Sequence, residues 1–319
     1  MSIAFVFPGQ GSQAVAMGRG LAETFPAARE VFEEVDDALE QRLSRLMFEG
    51  PESDLTLTEN AQPALMAVSL AALRTLEREG GWSLAEKAAF VAGHSLGEYS
   101  ALAAAGSLAL ADAARLLKRR GRAMQRAVPV GAGAMAALLG LDLDPARAIA
   151  AAALASAEAA AGEVCAAAND NAPGQVVISG SREAVERAVR IAAERGARRS
   201  VMLQVSAPFH CALMAAAAEE MSAALAEISL DAPRVPLVAN VTAAAVSDPE
   251  TIRRLLVEQV TAMVRWRESV VHMKERGVTK LVELGAGRIL AGLIRRIDRE
   301  LEAMSCGQPD EIDAVLEKL

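Results

Sequence analysis

Hydrophobic positions fall into two patterns along this chain. Short apolar runs, Ile3–Phe7, Ala88–Ala92, Val235–Val241 and Lys280–Leu284, carry little alternation and read as strands buried on both faces. Between them lie longer stretches whose apolar residues recur every three or four positions, which predicts helices. These cover Ala27–Gln41, Ala64–Glu79, Glu98–Ala105, Leu110–Ala127, Leu213–Ile228, Glu268–Arg276 and Ile289–Arg299. Punctuation residues agree. Asn60-Ala61-Gln62-Pro63 supplies a proline for a first helical turn, Gly106 closes one helix and Gly121 interrupts another. Ser247-Asp248-Pro249-Glu250 reads as a capping box opening a helix that runs toward Gln259, and the charged C-terminal tail reads as a solvated helix.

The middle of the chain changes character. Ala134–Leu141, Val164–Ala168, Gln175–Ser179 and Arg199–Val205 read as strands. An alanine-rich helix over Pro145–Ala161 and a second, capped by Ser181 and ended at Gly196, separate them. The order β-α-β-β-α-β is that of a ferredoxin-like unit. Because parallel-sheet signals resume afterwards, residues 128–200 are expected to be a small subdomain inserted into a larger one, formed by 1–127 and 201–319. The fold class expected is α/β.

Composition narrows the class of function. The 319 residues suffice for a sizeable core; 52% are hydrophobic and only 3% aromatic, which favours closely packed helices. A formal charge of −8 argues against a general nucleic-acid or anionic-membrane surface, although Lys118-Arg119 and Arg198-Arg199 form local basic patches. Three scattered cysteines suit neither a disulfide framework nor a metal site. With no signal peptide and no membrane-length apolar stretch, a cytoplasmic location is expected.

Candidate chemistry centres on Gly93-His94-Ser95-Leu96-Gly97, placed between a predicted strand and a predicted helix. Gly-x-Ser-x-Gly in that context is the pattern of a nucleophile elbow. The turn lifts the serine hydroxyl above the sheet edge, and strand and helix pass too closely for side chains at the flanking positions. The next backbone N–H, that of Leu96, points where an oxyanion would form. Of the three histidines, His94 helps shape the turn and His272 lies on a helix as a surface or packing residue. His210, on the loop Ser206-Ala207-Pro208-Phe209-His210, is the one that could face a serine across a cleft. Taken alone, Arg120 reads as a surface charge in a basic helix.

Phe7-Pro8-Gly9-Gln10-Gly11-Ser12-Gln13, Gly93-His94-Ser95-Leu96-Gly97-Glu98-Tyr99-Ser100, Arg120, Pro208-Phe209-His210 and Gln259 occur in order across almost the whole chain. This set resembles the malonyl-CoA:acyl carrier protein transacylases of fatty acid synthesis and the related acyltransferase domains of polyketide synthases. The resemblance implies a large α/β-hydrolase-like subdomain carrying Ser95 as nucleophile and His210 as its base. It further implies Arg120 on the malonyl carboxylate, the backbone N–H groups of Gln10 and Leu96 as an oxyanion hole, and a main-chain carbonyl near Gln259 orienting the histidine. No cofactor or metal is implied. The partners would be malonyl-CoA and the phosphopantetheine thiol of acyl carrier protein, with the enzyme acting as a monomer. Ala286 and Ala239 depart from residues common in the family.

Two other readings share some of these residues. A serine hydrolase of the α/β-hydrolase type would use the same elbow, but such enzymes place an acid between serine and histidine and have no use for a carboxylate-binding arginine. A catalytically dead scaffold would not need Ser95, His210 and Arg120 together. The same residues would also suit malonyl loading in polyketide or malonate decarboxylase systems.

Overall fold

The computed structural model describes residues 2–319. Its strands are β1 (Ser2–Phe7), β2 (Ala88–Gly93), β3 (Gly133–Leu139), β4 (Cys165–Ala172), β5 (Gln175–Ser181), β6 (Arg199–Met202), β7 (Leu237–Val238), β8 (Ala245–Val246), β9 (Val278–Leu284) and β10 (Glu302–Cys306). They form two sheets. One has the order β10-β9-β1-β2-β7-β8 and is parallel except for β8; the other has the order β4-β5-β3-β6 and is antiparallel.

The apolar runs lie where their pattern requires. Phe5 and Phe7 of β1 enter one core, with Leu65, Leu96 and Tyr99, while Ala4 and Val6 enter a second on the opposite face, with Trp266, Leu290 and Ile294. A strand covered by helices on both sides has no need of polar alternation. In the antiparallel sheet the two faces separate. Ala134, Ala136 and Leu138 of β3 pack into a local core with Ile149, Val185 and Ala188, whereas Met135 turns to the core of the larger sheet.

Parallel pairing matters most for the site. Phe7 at the end of β1 is in register with Gly93 at the end of β2, and β7 pairs with β2 in the same direction. The loops after these three strands therefore leave the same sheet edge, where ligands of open parallel sheets usually bind. The Pro8–Gln10 loop, the Ser95 turn and Asn240 are brought together in this way.

Several expectations need correction. The helix predicted from Ala64 begins at Thr58, so Pro63 lies inside it rather than in its first turn. Helix Leu110–Ala127 is unbroken at Gly121; a Cβ there would lie 2.5 Å from Glu59 Cα, so this glycine marks a helix crossing. The alanine-rich helix ends at Leu154, not Ala161. Beyond that point little side chain is buried, and alanine propensity alone does not hold a helix in water. Ser181 precedes its helix but makes no cap; its hydroxyl accepts from Val164 N–H. The cap before Pro249 is Asp248, which accepts from Thr251 N–H at 2.8 Å, not Ser247. The tail is not a solvated helix throughout. Residues 302–306 add β10 to the sheet edge, and the helix Pro309–Leu316 buries Ile312 and Val315. Among the described residues no helix is long and apolar enough to cross a membrane.

Candidate active site

Ser95 occupies the turn between β2 and the helix Gly97–Ala104 with φ of 54°, a left-handed backbone that a non-glycine residue rarely adopts. The flanking glycines make the turn possible. A Cβ on Gly93 would sit 1.9 Å from the Gly97 carbonyl oxygen, and one on Gly97 would sit 2.2 Å from that of Phe7. Asn240 secures the turn from the loop after β7: its Oδ1 accepts from Ser95 N–H at 2.8 Å and its Nδ2 donates to the Gly93 carbonyl at 2.6 Å.

His210 faces this serine. Its Nε2 lies 2.8 Å from Ser95 Oγ, and its Nδ1 lies 2.9 Å from the Gln259 carbonyl and 3.1 Å from that of Ala262. Two carbonyl acceptors at Nδ1 put the proton there and leave Nε2 free to accept from the serine hydroxyl. His210 is itself strained, with φ of 59°. Burial, reinforced by the positive charge of Arg120, pushes its pKa down to about 3, so the imidazole is neutral at physiological pH.

Arg120 is not the surface charge that its helix suggested. It is 1% exposed and donates from Nη1 to Gln62 Oε1 at 2.9 Å, and from Nη2 to Gln259 Oε1 at 2.8 Å and Ser95 Oγ at 3.2 Å. All three acceptors are neutral, and its Nε has no partner among the described residues. The Tyr99 ring lies beneath it, 5.7 Å from the guanidinium carbon. A signal for this burial was present in the pattern: Ala113, Leu116, Leu117, Ala123 and Met124 form the buried stripe of the helix, and position 120 falls on it. Its basic neighbours are held by other partners. Lys118 pairs with Glu59, and Arg119 with Glu220 and Glu227, which removes Lys118-Arg119 as a free basic patch.

The cavity over these groups measures about 320 Å³ and is lined by Gln10, Leu96, Met124, Met135, Leu203 and Phe209 together with Ser95, Arg120 and His210. Neither Gln10 nor Leu96 gives its backbone N–H to an acceptor among the described residues, so both remain available to an oxygen bound there. Gln259 is fully buried and meets the site through both its backbone carbonyl and its side chain. The structure thus brings together Ser95, His210, Arg120, Gln10, Leu96 and Gln259. His272 stays away; its Nε2 accepts from Ala245 N–H and its ring packs on Phe90. His94 does more than shape the turn, since its Nε2 lies 2.8 Å from Asn171 Oδ1 on β4. Sequence reasoning missed Gln62, Glu98 and Asn240 as parts of the site; nothing in the spacing of these residues marks them.

A serine raised on a strand-to-helix turn and hydrogen-bonded to a buried neutral imidazole defines the nucleophile-elbow class of proteins. The acyl transferase domain model matches residues 4–306, and the chain belongs to that family. It is 46% identical to the malonyl CoA-acyl carrier protein transacylase of Escherichia coli K12, over 98% of either chain. The crystal structure of an acyl-carrier-protein S-malonyltransferase from Bartonella henselae superposes with a TM-score of 0.95 at 54% identity, covering 100% of this chain and 99% of that one. A malonyl-transacylase solved in complex with a type II polyketide synthase acyl-carrier protein is 41% identical, with a TM-score of 0.94 and full coverage of both chains.

Proposed function

We propose that this protein is an acyltransferase that moves malonyl from malonyl-CoA to the phosphopantetheine thiol of acyl carrier protein in fatty acid biosynthesis. Its relatives support this reading through the activity and partner that their names carry. The observation that carries it is Ser95 Oγ, held between a neutral imidazole and a buried guanidinium whose hydrogen-bond partners are all neutral.

In the first half-reaction Ser95 Oγ attacks the thioester carbonyl while His210 Nε2 takes its proton. The developing oxyanion is stabilised by the N–H groups of Gln10 and Leu96. Collapse breaks the carbon–sulfur bond, and the protonated His210 returns its proton to the leaving CoA thiolate. The second half-reaction runs the same steps in reverse with the carrier's thiol as nucleophile, so the kinetics are ping-pong. Arg120 receives the malonyl carboxylate, because a guanidinium offers paired donors to a planar anion. None of these steps draws on a cofactor.

This reading divides the chain into an α/β-hydrolase-like subdomain, 1–127 and 201–319, and a ferredoxin-like subdomain, 128–200. The order β4-β5-β3-β6 supports the latter, being that of a β-α-β-β-α-β unit. With Lys118 and Arg119 occupied by acids, Arg198-Arg199 is the patch left from the sequence reading for an acidic carrier to approach.

The test is direct. Incubation with malonyl-CoA and no acceptor should leave a malonyl adduct on the peptide containing Ser95, and S95A should form none. An adduct on Cys165 or Cys211 would sink the assignment; burial raises the pKa of both thiols, that of Cys165 to about 12, which leaves them protonated and poorly nucleophilic.

A further inference from the structure

Beneath the turn that carries Ser95 lies a buried carboxylate to which the mechanism above gives no part. Glu98, 1% exposed, accepts through a single oxygen, Oε2, from Gln259 Nε2 at 2.8 Å and from Asn240 N–H at 3.0 Å. Each donor leads to a different part of the site. Asn240 holds the turn, through Ser95 N–H and the Gly93 carbonyl. Gln259 holds Arg120, through its Oε1.

We propose that Glu98 is a positioning residue for recognition of the acyl carboxylate, because its oxygen fixes which way the Gln259 amide faces and thereby where the Arg120 guanidinium sits. A glutamine amide has an acceptor end and a donor end of nearly equal size, so its facing is decided by its neighbours. Around Gln259 Nε2 stand Glu98 Oε2, the Ser95 carbonyl at 3.0 Å and, more distantly, Asn240 Oδ1 at 3.4 Å, all acceptors. Around Oε1 stands Arg120 Nη2, a donor. Rotation of the amide by half a turn would set donor against donor at Arg120 and oxygen against oxygen at Glu98. Of the three acceptors, Glu98 is the only one able to carry charge. Burial raises its pKa to about 7, against the hydrogen bonds from Gln259 and Asn240 and, last, the positive charge of Arg120. Without the Glu98 oxygen only the Ser95 carbonyl and the more distant Asn240 Oδ1 would hold the amide, and Arg120 would keep Gln62 but lose a fixed acceptor for its Nη2.

This inference rests on the malonyl-transfer reading, and its readout is chosen to separate the two. The ratio of kcat/KM for malonyl-CoA to that for acetyl-CoA is measured in the wild type, E98A, E98D and E98Q, with R120A as reference. A structural role would lower both substrates together and leave the ratio alone. Positioning of Arg120 predicts that E98A loses the ratio by ~10–100-fold, by analogy with the cost of removing a partner that orients a metal ligand. E98D keeps charge and polarity in the cavity while withdrawing the oxygen by one methylene, and should shift the ratio in the same direction even if E98A does not fold. E98Q should restore most of it, because Asn240 N–H and Gln259 Nε2, two donors, hold the amide oxygen where Oε2 stood. An unchanged ratio in E98A and E98D, with R120A lowering it, overturns the inference and leaves the function standing. A preference that survives R120A overturns the inference, because Arg120 then does not read the carboxylate, while no malonyl preference in the wild type overturns both.

Discussion

The two sheets give the cleft opposite kinds of wall. The parallel sheet delivers polar groups from loops after β1, β2 and β7, and fixes them by main-chain hydrogen bonds and strained turns. Ser95, on the turn after β2, has a positive φ and gives its N–H to the Asn240 side chain. His210, which arrives on the segment after β6, also has a positive φ and is held by the Gln259 and Ala262 carbonyls. Apart from His210, the antiparallel sheet and the segment after it contribute mainly apolar surface, Met135, Leu203 and Val205. One strand edge joins the two. Val264 N–H donates to the Ala168 carbonyl and Asp170 N–H to the Val264 carbonyl, while the buried Asp170 carboxylate accepts from Arg267 Nε at 2.9 Å. Val264 lies just beyond Ala262, one of the carbonyls that hold His210. The comparison teaches a division of labour: the parallel sheet presents the nucleophile, while the antiparallel sheet shapes the cavity, leads into the segment that carries the base and latches the segment that orients it.

The largest expected effect comes from the polar side. H210A should lower transfer by ~10²–10⁴-fold for malonyl and acetyl alike, the usual range for a positioned acid–base group, while H272A stays close to wild type. Steady-state rates with circular dichroism as a folding control check this. Comparable damage from H272A would mean that the base has been misassigned.

A smaller and more selective effect should follow from R120A. A carboxylate buried without its partner costs roughly 3–5 kcal/mol, so malonyl transfer should fall by about 150- to 5,000-fold while acetyl transfer is spared. Lysine at 120 should rescue only in part, because it lacks the planar fork. An equal fall for both acyl groups would return Arg120 to a structural role.

The smallest effect should lie at the latch. In R267M the Asp170 carboxylate stays buried without its donor, and the protein should lose ~1–3 kcal/mol of unfolding free energy. The acylation rate of Ser95 should change far less. Denaturant unfolding and single-turnover acylation separate these outcomes. A collapse of acylation with stability intact would show that the latch takes part in chemistry, and the division between the sheets would fail.

How much could be read before folding varies by element. The apolar runs placed β1, β2 and the core of β9 to within a residue or two, because a strand buried on both faces has few other ways to hide its side chains. β10 and the shortness of β7 escaped, since charged neighbours masked the former and Asn240 turns away from the latter to serve the elbow. Ser95 was legible for a local reason: the sterics that demand Gly93 and Gly97 arise within five residues of chain and the strand beside them. His210 was legible by elimination among three histidines and Leu96 through the elbow itself, whereas Gln10 and Gln259 entered only through the family resemblance.

By itself the sequence determined the elements, their α/β order and the turn that presents the serine, all set by periodicity and by sterics between near neighbours. Only the tertiary structure decided what surrounds that serine. Arg120 becomes a buried cation because its helix crosses the helix Thr58–Gly80 at Gly121, a contact between residues some sixty positions apart. Glu98, Asn240 and Gln259 form one hydrogen-bonded unit because parallel strands bring loops from distant parts of the chain to one sheet edge. Which way a buried amide or guanidinium faces depends on the acceptors that meet it there, and those partners are chosen by packing, not by spacing along the chain.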